Sequence, residues 1–185
     1  MDTTTIIILV AVLAAVLIAL ALVMRQRRSS NLRDRFGPEY ERAVEETGGR
    51  RKAEAQLHDR EKRVEAFAIR PLGPGEGQRY VHLWRKVQAD FVDDPKAAVS
   101  RADALLSEIM SARGYPVGDF EQRSADLSVD HPVVVQNYRA AHDIAVRHAR
   151  GEAGTEDLRQ AMIHYRSLFE DLVDEPAPVA RAKAS

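Results

Sequence analysis

From Ile6 to Met24 the chain reads IIILVAVLAAVLIALALVM, nineteen apolar residues with no charge, Gly or Pro. Wound as a helix rising 1.5 Å per residue, this run is about 28 Å long, close to the roughly 30 Å hydrocarbon core of a bilayer. A helix buried in a water-soluble domain is apolar on one stripe and polar on the rest, whereas this run is apolar on every face for five turns. The expectation is a single transmembrane helix over residues 6–24, behind a short N-terminal tail of residues 1–5. A cleaved signal peptide is the competing reading, and Ala19-Leu20-Ala21 offers a small-residue spacing. Against it, residues 1–5 carry Asp2 and no Lys or Arg, and the alanines lie inside the apolar run rather than after it.

Orientation follows from the flanks. Arg25, Arg27, Arg28, Arg33 and Arg35 all come after the run and no basic side chain precedes it. The positive-inside rule then leaves the N-terminus outside and the C-terminal region in the cytoplasm, and the same arginines suit anionic headgroups. A bacterial plasma membrane is the expected location.

The near-neutral formal charge of -1 hides an uneven distribution. Residues 25–70 hold 13 Lys/Arg against 9 Asp/Glu, and residues 71–185 hold 14 against 18. The acidic distal part repels phosphate, and the basic part lacks interleaved aromatics, so nucleic acid is not an expected partner. The chain has no cysteine, which removes disulfides, thiol nucleophiles and cysteine-based metal sites together.

Periodicity in the remainder is helical throughout. Ser29-Ser30-Asn31 supply possible helix caps, and Gly37-Pro38 interrupts the helix that continues from the apolar run. Pro38 to Thr47 forms a short helix stopped by Gly48-Gly49. The run RRKAEAQLHDREKRVEAF is strongly helical by propensity with a thin stripe of Ala53, Leu57, Val64 and Phe67, so residues 25–70 read as a charged juxtamembrane helical stalk, with a coiled coil as the alternative. Two Pro and two Gly from Arg70 to Gly75 mark a boundary. Beyond it, residues 71–174 read as a bundle of four long helices plus a short one: Tyr80, Trp84, Val87 and Phe91 mark the first stripe, and Val99, Ala102, Leu105 or Leu106, and Ile109 or Met110 the second. Phe120 to Leu127 is the short helix, begun by Asp119 with Gln122; Val134, Tyr138, Ala141, Ala145 and His148 mark the next, and Leu158, Met162, Tyr165, Phe169 and Leu172 the last, capped by Thr155. The expected core is Trp84, Phe91, Leu105, Ile109, Ile144, Tyr165 and Phe169. Residues 175–185, with two Pro and no periodicity, are expected to be a disordered tail. The fold class is all-α.

Chemistry leaves few traces. Neither HExxH nor ExxH occurs, His142 and His148 are six residues apart, and Gln160 puts an amide rather than an acid four residues before His164. There is no GxSxG, SxxK, GxxxxGK[ST] or GxGxxG. Asp93-Asp94-Pro95 and Asp130-His131-Pro132 bring acids and an imidazole together, but each sits where a helix is expected to start, and capping accounts for both. No catalytic residue, metal ligand or cofactor site is assigned, and no cofactor is expected.

The strings RFGPEYERAVEETGG, FVDDP, RGYP and SVDHPVVVQNYR resemble those of uncharacterised single-pass bacterial membrane proteins with a helical body. The resemblance covers most of the chain after the apolar run and implies architecture, with no activity attached. The expected function is therefore a membrane-tethered helical interaction or scaffold protein, partnered by the lipid bilayer and by another protein or itself. The alternative is a membrane-bound enzyme or small-ligand sensor with a site between bundle helices, drawing on His142, His148 or His164.

Overall fold

The computed structural model describes residues 3–116 and 118–174, leaving out the side chains of residues 3–11, 14, 21, 22, 25 and 28. Among these residues eight helices follow one another: α1 Thr3–Phe36, α2 Pro38–Thr47, α3 Arg50–Glu65, α4 Glu76–Asp90, α5 Pro95–Ala112, α6 Phe120–Asp130, α7 Val135–Ala149 and α8 Thr155–Asp174. Among the described residues there is no strand, so the all-α expectation holds. Among them, too, no helix is long and apolar enough to cross a membrane. The run of residues 6–24 lies only partly inside that set, since the side chains of 6–11, 14, 21 and 22 fall outside it. The expected tail at 175–185 also lies outside the described residues.

The chain divides into two compact units, Met1–Leu57 and His58–Ser185. In the first, α1 passes through Ser29-Ser30-Asn31 without a break and ends at Gly37, whose φ of 48° lies in the region that favours glycine. Ser29 caps nothing; its Oγ lies 3.2 Å from the Tyr40 hydroxyl. Serine and asparagine start a helix only where the backbone leaves an amide unbonded, and within a continuous helix there is no such amide. Tyr40 in turn donates to Glu54 Oε1 at 3.0 Å, joining α2 to α3. Pro38 stands at the first turn of α2, and Gly48, left-handed at φ 70°, closes it. Among the described residues of this unit, Phe36, Tyr40, Ala43, Ala53 and Leu57 are the buried apolar ones.

The second unit begins within α3 and contains the bundle. Arg63 on α3 reaches Asp126 on α6 at 2.6 Å, and Gln122 donates to the same carboxylate at 2.9 Å. Asp126 is almost fully buried, so this pair works in a drier setting than a surface ion pair. The C-terminal half of α3 is thus held to the bundle by charge, and Arg70 to Gly75 is a connection inside the unit. Residues Phe67, Ile69 and Leu72 of that connection pack on the core.

The core gathers the inner stripes of α4, α5, α7 and α8 with parts of α6. Leu105, Ile109, Ile144, Tyr165, Trp84 and Phe169 are buried as expected. Trp84 lies flat on Phe169, ring centres 4.7 Å apart. Phe91 departs from the expectation: α4 ends at Asp90, and Phe91 is only partly buried against the core.

Candidate functional site

A shallow groove runs between α4 and α8. The α4 stripe that buries Tyr80, Trp84 and Val87 leaves Val81, Arg85 and Gln88 at its edge. On α8 the buried stripe of Leu158, Met162, Tyr165, Phe169 and Leu172 leaves Glu156, Arg159, Ile163, Arg166, Glu170 and Asp174 exposed. Two adjoining hollows result. One, of about 160 Å³, is lined by Gln88, Phe91, Arg159, Met162, Ile163 and Arg166. The other, of about 350 Å³, is lined by residues that include Val81, Trp84, Arg85, Gln88, Arg166, Phe169 and Glu170. Gln88 and Arg166 belong to both, so the hollows form one surface. Its floor is apolar and its rim carries three guanidinium groups. Ile163, 38% exposed, is the one large apolar side chain of α8 that faces outward. Such a shape suits a protein face better than an enclosed small-molecule site.

Two polar clusters lie inside the bundle. His131 closes α6, and its Nδ1–H donates to Asp171 Oδ2 on α8 at 2.5 Å. The Tyr115 hydroxyl stands 3.1 Å from His131 Nε2 and donates to Asp130 Oδ2 at 3.3 Å. Both His131 and Tyr115 are buried, and the hollows described above do not reach them. The cluster joins the end of α6, the α5–α6 connection and α8. This corrects the capping role expected of Asp130-His131-Pro132: α6 runs on to Asp130, and α7 starts later, at Val135, without a side-chain cap. Backbone bonding runs past Leu127, whose carbonyl accepts the His131 N–H at 2.8 Å, and the imidazole is bonded to α8, 40 residues away in sequence. By contrast, Asp94 does cap α5, accepting the Ala97 N–H at 2.9 Å, and Asp119 caps α6 through Gln122 at 2.8 Å. Gly154 rather than Thr155 precedes α8, and its N–H donates to Asp157 at 2.8 Å.

The second cluster spans α5, α6 and α8. Arg123 donates to Ser107 Oγ at 2.7 Å and lies 3.7 Å from Asp103, whose other oxygen accepts the Tyr165 hydroxyl at 3.4 Å. Burial and the Asp103 charge push the phenols of Tyr165 and Tyr138 well above their ordinary range. Both therefore stay neutral: the Tyr165 hydroxyl donates to Asp103, and the buried Tyr138 hydroxyl has no hydrogen-bond partner among the described residues.

The three imidazoles named from sequence are placed in three different settings. His142 stacks on Phe120 at 3.6 Å between ring centres. His148 Nδ1–H donates to the Ala153 carbonyl at 2.7 Å, holding the α7–α8 turn. His164 donates to Asn137 Oδ1 at 2.9 Å, and Asn137 donates to Ser167 at 3.1 Å. One acid–histidine pair has the acid after the imidazole: His58 with Glu61, 3.3 Å apart on α3. No group of three or more His, Asp or Glu able to hold a metal ion occurs among the described residues.

His142 carries a pH dependence. Burial lowers its affinity for a proton below the ordinary imidazole value, with Arg123 acting in the same sense and Asp103 and Glu121 partly opposing. The folded state favours the neutral ring. Stability is therefore intact above the unfolded value of about 6.5 and declines as pH falls from there through the folded value. A denaturant midpoint that drops as pH falls below about 6.5, flattened by His142→Gln, is the expected result. An NMR titration midpoint for His142 at or above the ordinary value would contradict it.

Of the arginines flanking the apolar run, Arg33 pairs with Glu41 at 2.8 Å and stacks 5.1 Å above the Tyr40 ring, while Arg35 lies 6.0 Å from the Phe36 ring. Arg27 is exposed, and the side chains of Arg25 and Arg28 fall outside the described residues. The five are therefore not equivalent: Arg33 and Arg35 pack within the first unit. No family model, curated protein or solved structure matches the chain.

Proposed function

We propose that the chain is a membrane-tethered helical interaction protein, held in the bilayer by residues 6–24 and presenting the α4–α8 groove to a protein partner. The observation that carries the tether is the exposure of α1. Residues 15–20 are six consecutive exposed positions, and at 100° per residue they cover every face of the helix. Val16, Leu17, Ile18 and Leu20 among them are 54–61% exposed. Apolar surface on all sides of a helix is unfavourable in water by about 25 cal/mol per Å² and is satisfied in hydrocarbon. The one-sided placement of Arg25, Arg27, Arg28, Arg33 and Arg35 supports an N-outside orientation, with the groove on the cytoplasmic side.

Alkaline carbonate washing of membranes from cells expressing the full chain tests the tether. Retention in the pellet, with release by detergent, is expected. Release into the carbonate supernatant would sink the reading, because an integral span does not leave the bilayer when surface electrostatics are removed.

A further inference from the structure

The outward face of α8 carries a pattern that selects its partner. Arg159, Ile163, Arg166 and Glu170 follow one another at spacings of 4, 3 and 4 residues, so they lie on one stripe of the helix. The side chains of Arg159, Arg166 and Glu170 are 50–62% exposed, and Ile163 sits between the two arginines. Charge along the stripe runs negative at Glu156, positive at Arg159 and Arg166, and negative at Glu170 and Asp174. The existing partners are local. Arg159 is bonded to Glu156 at 2.6 Å within its own helix, and Arg166 stands 3.7 Å from Glu170. Exposed intrahelical pairs of this kind contribute little and are readily exchanged.

We infer that this face docks a second copy of the chain, the two α8 helices running antiparallel so that Arg159 of each copy meets Glu170 of the other. The inference rests on the interaction reading above and names its partner. Arg159 and Glu170 lie on opposite sides of the centre of the stripe, so parallel copies would set each against its own kind, whereas reversal about a two-fold axis sets arginine against glutamate at both places at once. Arg159 and Glu170 are about 16 Å apart along the helix. The axis then passes between residues 164 and 165, which sets the two Ile163 side chains about 4.5 Å apart along the helix direction, beside each other at the centre of the seam. Phe91 and Met162 extend the apolar floor next to them. Tethering both copies in one bilayer raises their effective concentration, so a modest interface is enough.

The chain has no cysteine, so one introduced thiol is unique. In membranes carrying the full chain, Ile163→Cys treated with a short bis-maleimide is expected to give a crosslinked dimer. Val133→Cys, 72% exposed on the α6–α7 connection, is expected to stay monomeric. In the Ile163→Cys background, Arg159→Glu and Glu170→Arg are each expected to reduce the dimer at least about fivefold, and the two together to restore it to within about twofold. All of these positions are exposed, so loss of folding does not account for a reduced yield. Equal crosslinking at positions 133 and 163, or no restoration in the double variant, overturns the proposal. If position 163 crosslinks only to a different protein, self-pairing fails while the interaction reading stands. If it crosslinks to nothing, both self-pairing and the role given to the groove fail, and carbonate retention still decides the tether independently.

Discussion

Replacing Gly114 with alanine is expected to destabilise the helical bundle by about 3 kcal/mol, the sum of a left-handed backbone penalty and an overpacking term. Gly114 follows the end of α5 with φ of 96°, a conformation that side chains rarely adopt. A Cβ at this position would come within 2.4 Å of the Ala68 carbonyl oxygen, and because that atom is backbone it cannot swing aside. The neighbouring bond from the Arg70 N–H to the Arg113 carbonyl, 2.9 Å, fixes the same crossing of the 66–70 segment over the helix end. Relief of the clash would have to lift that segment, and with it Phe67 and Ile69, from the core. Chemical denaturation of the purified chain, following the helical signal of the bundle, measures the effect. A loss below about 1 kcal/mol would mean that the close approach is not a feature of the protein in solution.

Trp84 gives the second large effect, through loss of contact area. Trp84→Ala removes an indole that is 4% exposed and stacked on Phe169 across the α4–α8 interface, at a cost of about 4 kcal/mol. Trp84→Phe separates stacking from hydrogen bonding. Among the described residues the buried Nε1 has no hydrogen-bond partner, so a phenyl ring forfeits no bond and keeps the aromatic contact. Its cost is expected to stay below about 2 kcal/mol, and equal losses for the two variants would show that the indole nitrogen is bonded in solution. Because Trp84 also lines the larger hollow, the alanine variant should open the groove floor as well as weaken the bundle.

Local signals in the sequence account for most of the helices. Pro38 at a first turn and Gly48 past the last one bracket α2 to the residue, and Asp94-Pro95 and Asp119 start α5 and α6 as read. What the sequence concealed depends on partners far along the chain. Asp130-His131-Pro132 carries every local mark of a helix start, yet Asp171 on α8 draws the imidazole inward and the segment ends a helix instead. Arg63 reads as one charge among many on a solvated face until Asp126, 63 residues on, supplies a buried carboxylate. Hydropathy treats both residues as surface, and nothing in their neighbourhood says otherwise.

The groove was only half visible for a related reason. Phe91 keeps the 4, 3, 4 spacing of its stripe, which is why it reads as core, but α4 stops one residue earlier and the ring is left at the rim. Ile163 offered a clearer sign. It is a lone apolar residue on a polar stripe, four residues after Arg159 and three before Arg166, and a scan for buried periodicity passes over it.

The unbroken course of α1 has a mechanical consequence. If residues 6–24 are held in a bilayer as we propose, the helix would leave it after Met24 and run without a joint to Phe36, making residues 25–36 a stiff arm of about 18 Å. Transmembrane helices adjust to bilayer thickness by tilting, on average by about 20°. A tilt of that size would carry Phe36 and the side chains packed around it sideways by about 6 Å. A thinner or thicker membrane would thereby be converted into lateral displacement at Gly37, the first place where the backbone can bend.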